Sequence, residues 1–169
     1  MISENGSRKD LANRLFFRLY QCANMLHKTG SRAIEDEGLT TQQWAVLGAL
    51  SRPQVDGGMK LGDLARYLMV SRQNLAGVIG RLERAGHLVS AADPRDRRSR
   101  LIQMTDGGRE VWHAHALPKI YDYYEQVLGD FSTNDMVHTL HYLLKMLGAM
   151  QAIDGGEPQD ELEEDMPLE

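Results

Sequence analysis

Apolar residues return every three or four positions through most of this chain, the spacing that lets a helix bury one face. Ala12, Leu15, Phe16, Leu19, Ala23 and Leu26 form one such stripe and predict a helix over 10–29, with Gly30 as its stop. A second helix is predicted from Thr40. Thr40-x-x-Gln43 has capping-box form, Trp44, Leu47, Ala49 and Leu50 supply an apolar side, and Pro53 ends it before a turn-rich loop to Gly58. Two short helices then follow closely. Leu61, Leu64, Ala65 and Leu68 mark the first, and Leu75, Val78, Ile79 and Leu82 repeat the spacing in the second. Ser71 stands where it caps the second, and Gly86 where a C-terminal glycine belongs. Leu88–Ser90 and Leu101–Met104 read as two short strands around a polar turn, Asp93–Arg98, with Pro94 at its tip because it has no N–H for a ladder. Thr105 caps a long helical run to about residue 129, in which Pro118 predicts a kink or break. Ser132-x-x-Asp135 begins a last helix with Met136, Leu140, Leu143, Leu144 and Leu147 on one side.

The expected fold class is mainly α with a small β-wing. Residues 1–9 are expected to be a disordered N-terminus, residues 10–151 one domain, and residues 152–169 an acidic disordered tail. At 169 residues the chain is long enough for one ordinary core. No run of eighteen apolar residues predicts a membrane span, and the polar start MISENGSRKD lacks a signal-peptide core, so a cytoplasmic location is expected. A single cysteine, Cys22, excludes an internal disulfide and is expected to be a buried helix residue.

The net charge of −5 argues at first against a nucleic-acid partner, but its distribution reverses that argument. Lys60–Arg100 holds nine Lys/Arg against four Asp/Glu, whereas the last sixteen residues hold eight acids and no base. Charges are screened beyond ~8–10 Å, so the local excess matters more than the total. Two short helices followed by a hairpin with a basic tip form the plan of a winged helix-turn-helix. Opposite the apolar stripe of the second helix stand Arg72, Gln73, Asn74, Gly77, Arg81 and Arg84. Gln and Asn can pair with adenine edges and Arg with guanine, while the small Ala76 and Gly77 permit close approach. The hairpin offers Arg95, Arg97, Arg98 and Arg100, suited to the negative potential of a narrow minor groove, with Asp96 among them as a buttress for one arginine.

The segment MKLGDLARYLMVSRQNLAGVIGRLERAGHLVSAADPRDRRSRLIQMTDGG resembles the DNA-binding core of MarR-type regulators, in its LGDLARYL helix, RLERAGHLV junction, DPRDRR wing and LIQMTDGG exit. LTTQQWAVLGAL is similar to that family's second helix, and ALPKIYDYYEQVLGDFS with the leucine-rich helix after it to its C-terminal dimerisation region. The resemblance implies a homodimer. Its winged DNA-binding lobe would span 38–105 and its dimerisation helices 10–30 and 106–151, on a pseudo-palindromic double-stranded DNA operator with half-sites about 10 bp apart. It places Ser71, Arg72, Gln73 and Asn74 at the start of the recognition helix and matches Asp96 and Arg98 to the family's Asp-x-Arg pair. Arg98 is then the minor-groove residue, with Arg95 and Arg97 on the backbone beside it. Arg81 lies further along the helix, nearer phosphate.

Members of that family are usually repressors released by a small molecule. The resemblance implies an effector pocket between the first, second and fifth helices, here offering Phe17, Arg18, His27, Trp44 and His113. Arg18 interrupts the apolar run LFFRLYQCANML and suits either an anionic ligand or a surface or dimer-interface position. An aromatic or phenolic acid, or its CoA thioester, is the ligand class that family habit suggests. In some members of that family a first-helix thiol senses peroxide, and the resemblance would put it just before the aromatic of Leu15-Phe16-Phe17; here Phe16 stands there and Cys22 falls almost two turns later. His138 and His141 share a helix face but lack a third ligand, so no metal and no cofactor is expected. No G-x-S-x-G, P-loop, G-x-G-x-x-G or H-E-x-x-H occurs, which argues against an enzyme. The alternatives are a winged-helix protein-interaction module, or a redox- or metal-sensing regulator of the same fold.

Overall fold

The computed structural model describes residues 4–155 apart from Asp56, and side chains from Ser7 onward except those of Arg97 and Arg98. Helix α1 (Glu4–Met25) passes through a π-helical turn (Leu26–Gly30) into the single turn α2 (Ser31–Ala33). A 3₁₀ turn leads to α3 (Thr41–Leu50), then β1 (Met59–Lys60), α4 (Leu61–Tyr67), α5 (Arg72–Arg84), β2 (Leu88–Asp93) and β3 (Asp96–Met104). The chain continues through α6 (Asp106–Glu110), a second π-helical turn (Val111–Ala116), α7 (Leu117–Leu128) and α8 (Thr133–Ile153). It divides into two compact units, Met1–Glu125 and Gln126–Glu169. Among the described residues no helix is long and apolar enough to cross a membrane.

The core of the first unit joins α3, α4, α5, the sheet and the α6–α7 segment. Ile34, Val46, Leu47, Leu64, Leu75, Leu82 and Ile120 are almost wholly buried, and Leu88, Ile102, Met104 and Trp112 close around them. The predicted stripe of α5 is the one buried: Leu75, Val78, Ile79 and Leu82. The caps read from sequence also form. Thr40 and Gln43 make a reciprocal box, and the Ser71 and Thr105 side chains accept from the N–H groups of Asn74 and Gly108. In the second unit, Ser132 and Asp135 box the start of α8, which buries none of its residues.

Several elements depart from expectation. Helix α1 starts at Glu4 rather than residue 10. Extending a nucleated helix costs little. Residues 1–3 and 156–169, which hold the rest of the expected disordered termini, lie outside the described residues. Gly30 does not stop a helix. It is buried where a Cβ would come within 2.7 Å of Thr41 Cγ2 and 3.1 Å of Trp44 Cζ3, so its role is close approach to α3. Pro118 does not break the long run either. It has no N–H to give to Ala114, and the turn just before it widens to π-helical geometry, after which α7 continues. A third strand, β1, was not foreseen; it pairs antiparallel with β3 (Met59↔Ile102, Lys60↔Leu101), so the sheet order is β1-β3-β2.

The wing leaves the helices through one close junction. The Thr105 hydroxyl donates to the Gly86 carbonyl (2.6 Å), and the Thr105 N–H bonds the His87 carbonyl (3.0 Å). Gly108 lies so near that a Cβ there would come 2.1 Å from the His87 carbonyl oxygen, a backbone atom that cannot move aside cheaply. Gly108→Ala is therefore expected to destabilise the first unit by about 1–3 kcal/mol through overpacking. A urea midpoint unchanged from the parent chain would refute this contact.

Candidate nucleic-acid interface

Helices α4 and α5 meet at a tight turn whose geometry is set by hydrogen bonds. The Val70 N–H bonds the Ala65 carbonyl (3.0 Å) and the Met69 N–H the Arg66 carbonyl (3.2 Å), the pair of bonds that closes a Schellman motif. Met69 holds the left-handed position with φ 54°, where glycine is usual. The far end of α5 closes the same way, from His87 to Leu82 (2.9 Å) and Gly86 to Glu83 (3.0 Å), here with the glycine read from sequence.

Because the apolar stripe of α5 faces inward, Ser71, Arg72, Gln73, Asn74, Ala76, Gly77, Arg81 and Arg84 are all exposed. The Arg72 guanidinium lies over Gly62, where a Cβ would come 3.1 Å from Nη2. The N-terminal turn of α5 thus presents an exposed run of donors with helix-dipole-positive backbone behind it.

The hairpin is tighter than predicted. Strands extend to Asp93 and from Asp96, so the turn is Pro94-Arg95 alone, and Asp96, Arg97 and Arg98 belong to β3. Pro94 presets the bend, and Asp93 Oδ1 accepts the Arg95 N–H at 2.9 Å, an Asx-type closure. The ladder jumps from Ala92↔Arg100 to Asp93↔Asp96, leaving Arg97, Arg98 and Ser99 without counterparts on β2. Such a bulge re-aims side chains. The side chains of Arg97 and Arg98 lie outside the described residues, and Arg95 is exposed. Asp96 has Lys60 Nζ at 3.9 Å. Arg100 donates to the Ser90 carbonyl, and Ser90 in turn donates to Glu83 of α5 at 2.5 Å.

Two residues here were missed from sequence. Asp93 is only 5% exposed although it flanks a surface turn, and Lys60 Nζ lies 3.4 Å from it. The Arg95 N–H, and then Lys60, hold the Asp93 carboxyl below its ordinary value of 3.8. The one sequence signal for Asp93 was its place before Pro94. Nothing local pointed to Lys60, which is 33 positions away.

The five candidate pocket residues do not converge. Phe17 is 59% exposed, and Arg18 donates to Gln21 on the same exposed face of α1 (2.7 Å). His27 and Trp44 do come to one place. His27 Nδ1 shares a hydrogen bond with Thr41 Oγ1 (2.8 Å), and Trp44 packs against Tyr123 and Tyr124 at ring distances of 6.2 and 5.7 Å. Tyr123 reaches Thr29 (2.8 Å), and burial pushes the Tyr124 hydroxyl above its usual range. His113 faces elsewhere because its neighbours Trp112 and Ala116 take the buried side of the π turn. It lines a cavity of about 450 Å³ with Arg52, Gln103 and Arg109, which includes none of the other four. Cys22 is exposed, not buried as expected.

Residues 37–99 match the model of the MarR family. The chain is 70% identical over 150 residues to the "Transcriptional activatory protein BadR" of Rhodopseudomonas palustris, covering 89% of this chain and 86% of that protein. It is 27% identical over 110 residues to the "Homoprotocatechuate degradative operon repressor" of Escherichia coli, covering 65% and 72%. The fold is similar to that of S. aureus MepR in its DNA complex, with TM-score 0.70, 24% identity, and 80% and 96% of the two chains covered.

Because the folded Asp93 carboxyl is held below 3.8, the turn keeps its full stabilisation above that value and loses it as the pH falls through the lower, folded one. The Arg95 amide resonance is expected to titrate with its midpoint below 3.8. A midpoint at or above that value would contradict the arrangement.

Proposed function

The chain belongs to the MarR family and is a DNA-binding transcriptional regulator, and on that premise we propose that it reads a pseudo-palindromic operator as a homodimer whose DNA affinity is set by an aromatic acid or its CoA thioester. The observation that carries this reading is the exposed row Ser71–Asn74 at the start of α5, followed in the chain by a tight hairpin that carries Arg95, Arg97 and Arg98. Asn74 and Gln73 read base edges in the major groove, with Ser71 and Arg72 beside them at the start of the recognition helix, Arg81 meets phosphate, and Arg98 enters the minor groove with Arg95 and Arg97 beside it. The DNA lobe is 38–105, and helices within 10–30 and 106–151 pair the two chains. What supports pairing is exposed apolar surface among the described residues. Leu15, Phe16, Phe17 and Tyr20 on α1, and Val137, Leu140, Leu143 and Ile153 on α8, are all exposed.

The ligand class is supported by the polar and aromatic group around His27, Thr41, Trp44 and Tyr123, and by a relative named for the operon that degrades homoprotocatechuate, itself an aromatic acid. The sign of regulation follows the relative at 70% identity, which is named an activator, rather than the repression that family habit suggests.

A duplex enriched by the chain from a randomised pool is expected to bind two chains, with affinity falling steeply as salt rises. Asn74→Ala or Gln73→Ala should relax sequence preference, each good base pairing being worth ~1–3 kcal/mol, and Arg98→Ala should weaken binding without unfolding. One chain per duplex, or a uniform loss across sequences for Asn74 and Gln73, would overturn these assignments. In a thermal-shift series, benzoate-type acids or their CoA thioesters should raise the melting temperature and change duplex affinity, with the response lost in Trp44→Ala. No shift with any member would remove the ligand class.

A further inference from the structure

The wing is fastened at its root and at its tip by different groups. At the root, Ser90 donates to Glu83 and Thr105 donates to the Gly86 carbonyl, which ties the open end of the hairpin to the C-terminal half of α5. At the tip, Asp93 and Asp96 face each other across the closing rung of the ladder. Like charges opposite one another destabilise a strand pair, and Asp93 is also taken out of water. The Lys60 ammonium meets both, 3.4 Å from Asp93 Oδ2 and 3.9 Å from Asp96 Oδ2.

Lys60 comes from another part of the chain. It ends β1, pairs with Leu101 of β3 and is the extended N-cap of α4 (φ −68°, ψ 147°). Its backbone is therefore fixed to the first helix of the helix-turn-helix, while its ammonium meets Asp93 at the end of β2 and Asp96 at the start of β3. The bond from the Arg95 N–H to Asp93 Oδ1 is internal to the hairpin and sets no direction relative to α4 or α5.

We infer that Lys60 is a positioning residue for DNA binding: by clamping Asp93 and Asp96 it sets where Arg95 and the bulged Arg97-Arg98 segment stand relative to α5. The inference rests on α5 and the wing being the DNA interface. Lys60 is 43% exposed, so the competing role is direct contact with a phosphate.

A double-mutant cycle separates the two. Lys60→Met removes the ammonium and keeps the stem. Asp93→Asn removes the charge and keeps an oxygen for the Arg95 N–H. Affinity is read on the duplex enriched by the wild-type chain, and Arg95 amide exchange by NMR. Lys60→Met is expected to weaken binding about tenfold, the scale of coupling within one ion-pair network, and to speed Arg95 exchange. Lys60→Arg should restore both. In the Asp93→Asn background, Lys60→Met should weaken binding less than about twofold further, as expected when two residues act through one interaction. Independent, additive losses with Arg95 exchange unchanged would make Lys60 a phosphate contact and overturn the inference, as would wild-type affinity in Lys60→Met. If the wild-type chain enriches no duplex, the DNA reading itself falls, and the Arg95 exchange rates alone decide whether Lys60 orders the turn.

Discussion

The burial of one stripe of α5 is the constraint from which the presented surface follows. Leu75, Val78, Ile79 and Leu82 are packed against α3, α4 and the sheet with almost no solvent contact. Full burial of side chains of this size is worth ~1.5–3 kcal/mol each, so rolling the helix to hide its polar side would forfeit roughly 6–12 kcal/mol. That is of the order of a domain's whole stability, ~5–15 kcal/mol. At 3.6 residues per turn, committing those four positions inward leaves Arg72, Gln73, Asn74 and Gly77 outward. The polar row is therefore held rigidly by hydrophobic packing on the opposite face.

The ends of α5 are as constrained as its middle. Schellman closures stop both α4 and α5, and Ser71 satisfies the first turn of α5, so neither end can slide without breaking named hydrogen bonds. Met69 accepts a left-handed backbone that costs roughly 1–2 kcal/mol for a residue with a Cβ. The root of the wing shares the core through Leu88, Ile102 and Met104, and polar links from Ser90 to Glu83 and from Thr105 to Gly86 tie it to α5. At the turn itself the described links are polar, from Lys60 and the Arg95 N–H to Asp93.

Helices α1 and α8 show the opposite balance. Each displays large apolar side chains, and α8 buries none. The region that accepts His27 and Trp44 is different again. It is built from hydroxyl and aromatic groups around Thr41, where Gly30 brings the end of the first helical segment against α3.

The alternation of apolar and polar positions was enough to place α3, α4, α5 and α8, the serine and threonine caps of α3, α5 and α8, Gly86 and the exposed face of α5. These are local properties: a helix period and a cap each need information from within about four residues. The basic hairpin was legible for the same reason, through Pro94 and the arginines around it. What stayed hidden depended on distant groups. Strand β1 exists because two residues find β3 some forty positions away; Lys60 meets Asp93 through that same pairing. Gly30 reads as a stop until Thr41 and Trp44 are seen against it, and Pro118 reads as a break until the preceding turn is seen to widen. His113 parted from His27 and Trp44 because the packing of Trp112 and Ala116 chose which way the π turn faced. Periodicity specifies which side of an element is apolar, but only tertiary packing decides what that side meets and which polar groups are then left close enough to pair.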